Sequence, residues 1–537
     1  MELPPKSSRP ERPSNNEEKK KQDVKVSKIS LRGCTQLKNL FLRGLSNLTE
    51  LDLSGSPLKI LDFESLVVDV PRLKRLYLVG CEHLRAIKWR STEELEFKLE
   101  LLCIDTRPAG TWTSTQPPPA PVSQHESFSS SRNLLLHAVL ADVRLVRSLS
   151  AIIRWGNVSF DIQHGPYSSA VNNNGEIEGV VHQPAGVQVQ RRHHNYYCVA
   201  DDVLTKMKDT HPTPPPMEAL FPEPPAGRSD RHVEISGGGP NLESELVSHI
   251  EGYYCLADMM RCHAESLHVH DASISVSMTG KCWEKLRWFR VERCPNLEST
   301  LFHLDAGGFE KLEVVWVSEL AKTRCLWSKG PVTSVSVGYN LLFQSLRHLC
   351  LRSCPRLQYA LPLRAYKNAL RNLETLHVIH CGELRHVFEL GEKCDHHQEE
   401  EEEEEDDIDA ASNKGSSTMK FPSLTTIHLH DLPMLRGICD VKMIASNLET
   451  VRIRGCFNLR RLPTAAIRLA AIDYRRLCHG RLFWRRCGPP TVEVEKDVWD
   501  VLEWDGENVG HHPRFYAPPV HSRHYRNKRI LRGTVLR

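Results

Sequence analysis

The sequence predicts an α/β solenoid. A curved parallel sheet lines its concave side, and irregular or short helical segments form its convex side. Three observations carry this. Six segments repeat one apolar pattern without gaps, starting at Leu73, Leu286, Leu346, Leu373, Leu424 and Leu448. Each reads apolar-x-x-apolar-x-apolar-x-x-Cys-x-x-Leu, with Leu432 replacing the cysteine in the fifth. Weaker copies start at Val26, Leu48, Leu99 and Leu312, and a partial one runs through Leu267 and Val269. The spacing is also regular: 48 to 73 is 25 residues, 73 to 99 is 26, 286 to 312 is 26, 346 to 373 is 27 and 424 to 448 is 24. A fixed period of this length is the signature of a stacked repeat. Finally, the chain of 537 residues is 40% hydrophobic and 26% charged, which suits a packed protein.

Each element follows from the offsets. Apolar residues two apart, such as Leu76 and Leu78, share one face of a short strand, while Tyr77 between them points the other way. A single unit cannot bury that face, so successive units stack and share a core. The predicted strands are Lys74–Leu78, Arg287–Val291, Arg347–Leu351, Glu374–Val378, Thr425–Leu429 and Glu449–Ile453. The cysteines at the ninth position (Cys34, Cys81, Cys294, Cys354, Cys381 and Cys456) read as small buried side chains where the chain leaves the strand. They lack the paired spacing of zinc ligands. Together these features define a leucine-rich-repeat solenoid.

The chain divides by composition. Residues 1–25 form a polar arm, expected to be disordered, and repeats fill 26–105. Between 106 and 262 the pattern breaks: no leucine occurs between Leu149 and Leu204, and prolines cluster at Pro117–Pro119 and Pro214–Pro216. This stretch reads as degenerate repeats with long Pro/Gly/Asn-rich insertions, with a separate inserted domain as the alternative. Short alternations at Val158, Phe160, Ile162 and at Val233, Ile235 fit strands of the same core. Repeats resume over 263–465 around an acidic insertion at 392–418, where Glu399 to Asp407 are nine consecutive acids. Nine like charges repel and stay hydrated, so the run is a loop. Residues 466–520 are a capping region, in which Trp499 and Trp504 cover the open end of the core. Residues 521–537 are a basic tail, suited to an exposed end, phosphate contact or nuclear import.

Composition also excludes functions. A net charge of +3 gives no whole-chain argument for nucleic acid. No apolar run reaches the ~18 residues of a membrane span, and Met1 to Asp23 lacks the apolar core of a secretory signal. Seventeen cysteines in such a chain are expected to be reduced. No G-x-S-x-G, H-E-x-x-H or C-x-x-C motif occurs, and Cys394, His396 and His397 lack a fourth ligand. No catalytic, cofactor-binding or metal-binding residues are therefore expected.

The L-x-x-L-x-L-x-x-C-x-x-L units, the phrase Leu459 to Pro463 and the closing stretch Glu495 to Gly506 with His511–Pro513 resemble plant nucleotide-binding leucine-rich-repeat disease resistance proteins, grass members above all. The resemblance covers roughly 26–105 and 264–520. Such receptors carry an ATP-binding switch with a G-x-x-x-x-G-K-[ST] loop, which Gly280-Lys281-Cys282 does not satisfy. Leu134 to Val143 is similar to the family's Walker-B strand, but with no phosphate loop before it reads as a buried strand or helix. Val269-His270-Asp271 matches the Met-His-Asp switch motif only by coincidence, since it lies on a repeat strand. The chain looks like a repeat-only relative or truncated product of such a receptor.

The resemblance implies a cytoplasmic protein-recognition module of plant immunity, with nuclear entry through the basic tail as a further reading. Its partner is expected to be a protein: an effector, a guarded host protein or a receptor module. The alternatives are a protein-binding scaffold outside immunity and an inactive product of a truncated receptor gene. The expected binding residues project from the concave strands: Arg290, Glu292, Arg293, Trp316, Arg352, His377, His428, His430, Arg452 and Arg454, with Ser318, Cys350 and Ile379 in the same columns. Few carboxylates stand among them, which favours an acidic or phosphorylated partner, or the chain's own acidic insertion. Deleting Glu399 to Asp407 should leave the thermal midpoint nearly unchanged, because loop length enters closure entropy only logarithmically; loss of soluble protein on deletion would show the run to be structural.

Overall fold

The computed structural model describes residues 25–65, 68–89, 99–107, 134–142, 144–153, 158–165, 170–171, 177–178, 231–237, 256–272, 283–297, 300–304, 309–329, 343–362, 370–389, 418–465, 488–507 and 509–521. The polar arm, the acidic run and nearly all of the basic tail lie outside them.

One parallel sheet of 15 strands organises the chain. In chain order the strands are β1 Lys28–Ser30, β2 Glu50–Asp52, β3 Arg75–Val79, β4 Leu101–Asp105, β5 Leu134–Leu140, β6 Val158–His164, β7 Arg231–Ser236 and β8 Ser266–His270. They continue as β9 Trp288–Glu292, β10 Val314–Ser318, β11 His348–Arg352, β12 Thr375–Ile379, β13 Thr426–His430, β14 Thr450–Arg454 and β15 Thr491–Glu493. Each strand pairs with the next one in sequence, as a leucine-rich-repeat solenoid requires. Strands β5, β6 and β7 lie in this same sheet, with Phe160, Ile162, Val233 and Ile235 buried. Leu134 to Leu140 is a strand with alternating buried residues.

Equivalent repeat positions meet in register. Leu349, Leu376, Ile427 and Val451 form one row, and Leu351, Val378, Leu429 and Ile453 the next. All eight are buried in one continuous core. The six strands predicted from the motif each begin and end one residue later than expected. The cause is a shared acceptor at the strand entrance: Glu374 O accepts from both Thr425 N and Thr426 N, at 2.9 and 3.1 Å. The regular ladder starts only after that carbonyl.

From β8 to β14 each coil leaves its strand through a left-handed residue: Asp271, Arg293, Glu319, Ser353, His380, Asp431 and Gly455 have φ between 49° and 68°. That bend explains the repeat cysteine. The thiols of Cys294, Cys354, Cys381 and Cys456 donate to the carbonyls of Glu292, Arg352, Ile379 and Arg454, two residues back, at 3.3–3.6 Å. Cys81 reaches Leu53 O instead, at 3.3 Å. These thiols are buried, and burial holds Cys294 at about 11 and Cys456 at about 12. Cys34 departs from the expectation: it is exposed, because its coil stands at the edge of the sheet, with no strand before it among the described residues.

The convex side differs from the sequence expectation. Besides a helix at Leu145–Ile153, it carries short parallel strands: Ile60–Asp62 pairs with Ala86–Lys88, Thr418–Lys420 with Lys442–Ile444, and Leu361–Pro362 with His386–Glu389. These strands have too few residues to show an alternation in sequence. A second unanticipated feature lies three residues before each repeat start, where Trp283, Phe309, Phe343 and Phe421 are buried. Trp283 stacks on Phe309 at 6.0 Å, and Phe309 on Phe343 at 5.8 Å, forming an aromatic spine between coils.

The C-terminal segment closes the stack. β15 extends the sheet, and Val494, Val498, Leu502 and Tyr516 join the core. Trp504 lies 5.4 Å from Trp499 and 5.6 Å from Tyr516, and the Tyr516 hydroxyl donates to Pro463 O. Leu376 is fully buried in the shared core, so Leu376→Asp should destabilise the array by several kcal/mol, as an unpaired buried charge requires. A thermal melt unchanged by that substitution would contradict the packing.

Candidate protein-recognition face

Outward residues of successive strands stand side by side in columns on the concave face. The inner column runs Glu234, His268, Arg290, Trp316, Cys350, His377, His428, Arg452, Glu493. The outer column runs Ser236, His270, Glu292, Ser318, Arg352, Ile379, His430, Arg454. The left-handed exit residues form the rim beside them. At about 4.8 Å per strand, Arg290 to Arg452 spans roughly 24 Å.

All ten sequence-predicted residues fall on these columns or on the rim. They are not uniformly open, however. Glu292, Trp316, His377 and His430 are buried, as are Ser318, Cys350 and Ile379, whereas Arg290, Arg352, His428 and Arg454 are partly exposed and Arg293 and Arg452 are exposed. A strand-face residue is covered by the long side chains of its two neighbours, and that depends on the whole column rather than on its own repeat.

Three zones result. The first is a charge network over β7 to β9. His270 lies between Glu234 at 2.9 Å and Asp271 at 2.8 Å. Burial pulls its pKa down, but the hydrogen bonds to Asp271 and Glu234 outweigh it and raise it to about 9. Arg293 grips Asp271 through two bonds of 2.7 and 2.8 Å, and Arg290 reaches Glu292 at 2.7 Å. Burial opposes ionisation of Glu234, Asp271 and Glu292, yet these partners hold all three carboxyls well below the usual range. Glu234, His268 and His270 were absent from the sequence expectation, because β7 and β8 belong to weak repeats.

The second zone is apolar: Trp316, Cys350 and Ile379 pack together on the concave side, apart from the main core. The Arg290 guanidinium sits 5.7 Å from the Trp316 ring centre. Trp316 is thus the floor of the face rather than a free contact.

The third zone is rich in histidine. His377 and His428 meet edge to face at 4.5 Å, and His380 and His430 at 5.5 Å. His380 Nδ1 and His430 Nδ1 approach Asp431 Oδ2 to 3.3 and 3.2 Å. Burial lowers the pKa of His380, and it pushes His377 down to about 3 with help from the charges of His428, His348 and Arg452. The neutral His377 ring is 5% exposed, and its Nδ1 has no hydrogen-bond partner.

Residues 326–470, which include β11 to β14, match the family described as plant disease resistance protein RPS2-like, leucine-rich repeats. No curated protein matches the chain. The match makes this part of the chain similar to the repeat region of plant disease resistance proteins.

The His377 geometry sets a pH dependence. Its folded pKa lies below the ~6.5 of an unfolded histidine, so the unfolded state takes the proton first. The stabilising share of neutral His377 is complete above about pH 6.5 and is lost as pH falls toward about 3. Between pH 6.5 and 5 that loss amounts to about 2 kcal/mol. The variant His377→Phe should lose correspondingly less stability than the parent over this interval in urea melts; equal slopes would show that His377 titrates normally.

Proposed function

We propose that this chain is a protein-recognition module of plant intracellular immunity, related to the repeat region of nucleotide-binding leucine-rich-repeat receptors. The observation that carries the reading is the concave face from β11 to β14. Within the stretch similar to resistance-protein repeats, Arg352, His428 and Arg452 stand partly or fully exposed above buried Cys350, His377 and Ile379. A rigid floor with solvated cations on it favours an acidic or phosphorylated protein surface, because charge complementarity steers association and fixes register. The area available suits a standard interface of ~800 Å² per partner.

The partner is an effector, a guarded host protein or a receptor module, and binding rather than catalysis is the activity. The buried thiols and the paired histidines serve packing and recognition in this reading. Among the described residues no helix is long and apolar enough to cross a membrane. A cytoplasmic site of action, or a nuclear one through the basic tail, follows from the proposed role.

Charge reversal tests it. Arg352 and Arg452 point away from the core, so the double variant Arg352→Glu, Arg452→Glu should keep the circular dichroism and melting midpoint of the parent. It should lose the proteins that the parent captures reproducibly from plant extract. Retention of the same partners by a folded double variant would remove this face from recognition.

A further inference from the structure

We infer that His380, His430 and Asp431 form a binding site for a divalent transition-metal ion of the zinc class, held by two imidazoles and one carboxylate. This goes beyond the proposed recognition role and does not depend on it.

The fold builds the site from two neighbouring coils. His380 is the exit residue after β12, His430 is the last residue of β13, and Asp431 is the exit residue after β13. One ligand atom from each lies within 4.8 Å of the others. A tetrahedral zinc with bonds of about 2.0–2.1 Å separates its ligand atoms by about 3.3 Å. The approaches of the two Nδ1 atoms to Asp431 Oδ2, 3.3 and 3.2 Å, match two edges of that figure.

A second observation points the same way. His430 is 9% exposed, yet neither of its ring nitrogens has a hydrogen-bond partner. Buried polar atoms are nearly always satisfied, and a metal bond would satisfy Nδ1. The frame is also fixed in advance. His380 N donates to His430 O at 2.9 Å, and Asp431 N donates to Arg454 O at 2.7 Å. Position 455 must be glycine: a Cβ there would stand 2.2 Å from Asp431 Oδ1. With three protein ligands, a fourth position remains for water or an exchangeable donor, on the rim where the His380 and Asp431 side chains are 34% and 38% exposed. Two cations flank the site, Arg352 and Arg454. Their charge opposes the metal's, and the Glu495 carboxylate, which accepts from Gly455 N at 2.8 Å, stands against Arg454.

The other cluster of similar composition, Glu234, His268 and His270, does not qualify. There His270 is already bonded on both sides, to Glu234 and Asp271, and Arg290 and Arg293 bind the adjoining Glu292. Those groups neutralise one another without an ion.

The experiment uses the full chain, stripped with a chelator and kept reduced with a phosphine. It is titrated with cobalt(II) chloride, read by visible absorption, and with zinc chloride, read by calorimetry. The tightest equivalent should show tetrahedral d–d bands without thiolate-to-cobalt charge transfer. His380→Ala and Asp431→Asn should each weaken it by more than the roughly 10–100-fold that outer-shell changes cost. His268→Ala should leave it unchanged. Asp431→Asn is nearly isosteric and asparagine accepts the left-handed backbone, so this variant separates loss of a ligand from loss of fold. No binding, thiolate bands in the tightest equivalent, binding unaltered by both ligand variants, or loss with His268→Ala would each overturn the site.

Discussion

The apolar face of one repeat strand has nothing to pack against except the coils beside it. Everything else in this protein follows from that constraint. It forces strands of successive coils into one parallel sheet, and it forces equivalent residues into rows, because only equal positions present equal shapes to each other. The row through Leu349, Leu376, Ile427 and Val451 is the direct result. It also makes the ends special. At the C-terminal end Trp499, Trp504 and Tyr516 cover the last coil, while at the other edge Cys34 is left exposed at a position that is buried at Cys81, Cys294, Cys354, Cys381 and Cys456.

The same stacking explains why chemistry-bearing residues gather here without any local motif. The exit from most strands of the sheet uses a left-handed residue, a conformation in which glycine is free and asparagine, aspartate and histidine are enriched. Glycine holds it at Gly33, Gly55, Gly80 and Gly455, but Asp271, Arg293, Glu319, Ser353, His380 and Asp431 hold it elsewhere. Such residues cost of order 1–3 kcal/mol each where the surroundings impose them. The polar side chains thus fixed on the rim meet those of the next coil at strand spacing. Arg293 on Asp271 and His380 beside Asp431 are two products of that one arrangement.

This separates what the sequence shows from what it hides. The inward positions were legible because Leu, Val and Ile recur at offsets of three and five residues in a fixed period. The strand ends were displaced by one residue because ladder pairing begins after a shared carbonyl, which side-chain patterns do not report. The outward columns were legible as positions, yet the burial of Trp316, His377 and Ile379 was not, since it is decided by neighbours 26 to 51 residues away along the chain. Cys394, His396 and His397, close in sequence, drew attention as candidate ligands, whereas His380 and His430 meet only through the stacking of β12 on β13.

The concave face therefore divides into two regions of different electrostatic character. Towards β7 to β9, carboxylates, histidines and arginines are already bonded to one another. Towards β11 to β14, the buried His377 ring, whose Nδ1 has no hydrogen-bond partner, lies edge to face with partly exposed His428, and Arg452 stands exposed in the same column. Unsatisfied buried donors and acceptors are costly where they stand and gain when they are bonded. Such atoms occur in both halves of the face, His268 Nε2 and Arg290 Nε in the one and His377 Nδ1 in the C-terminal half. That half falls within the stretch similar to the repeats of plant disease resistance proteins.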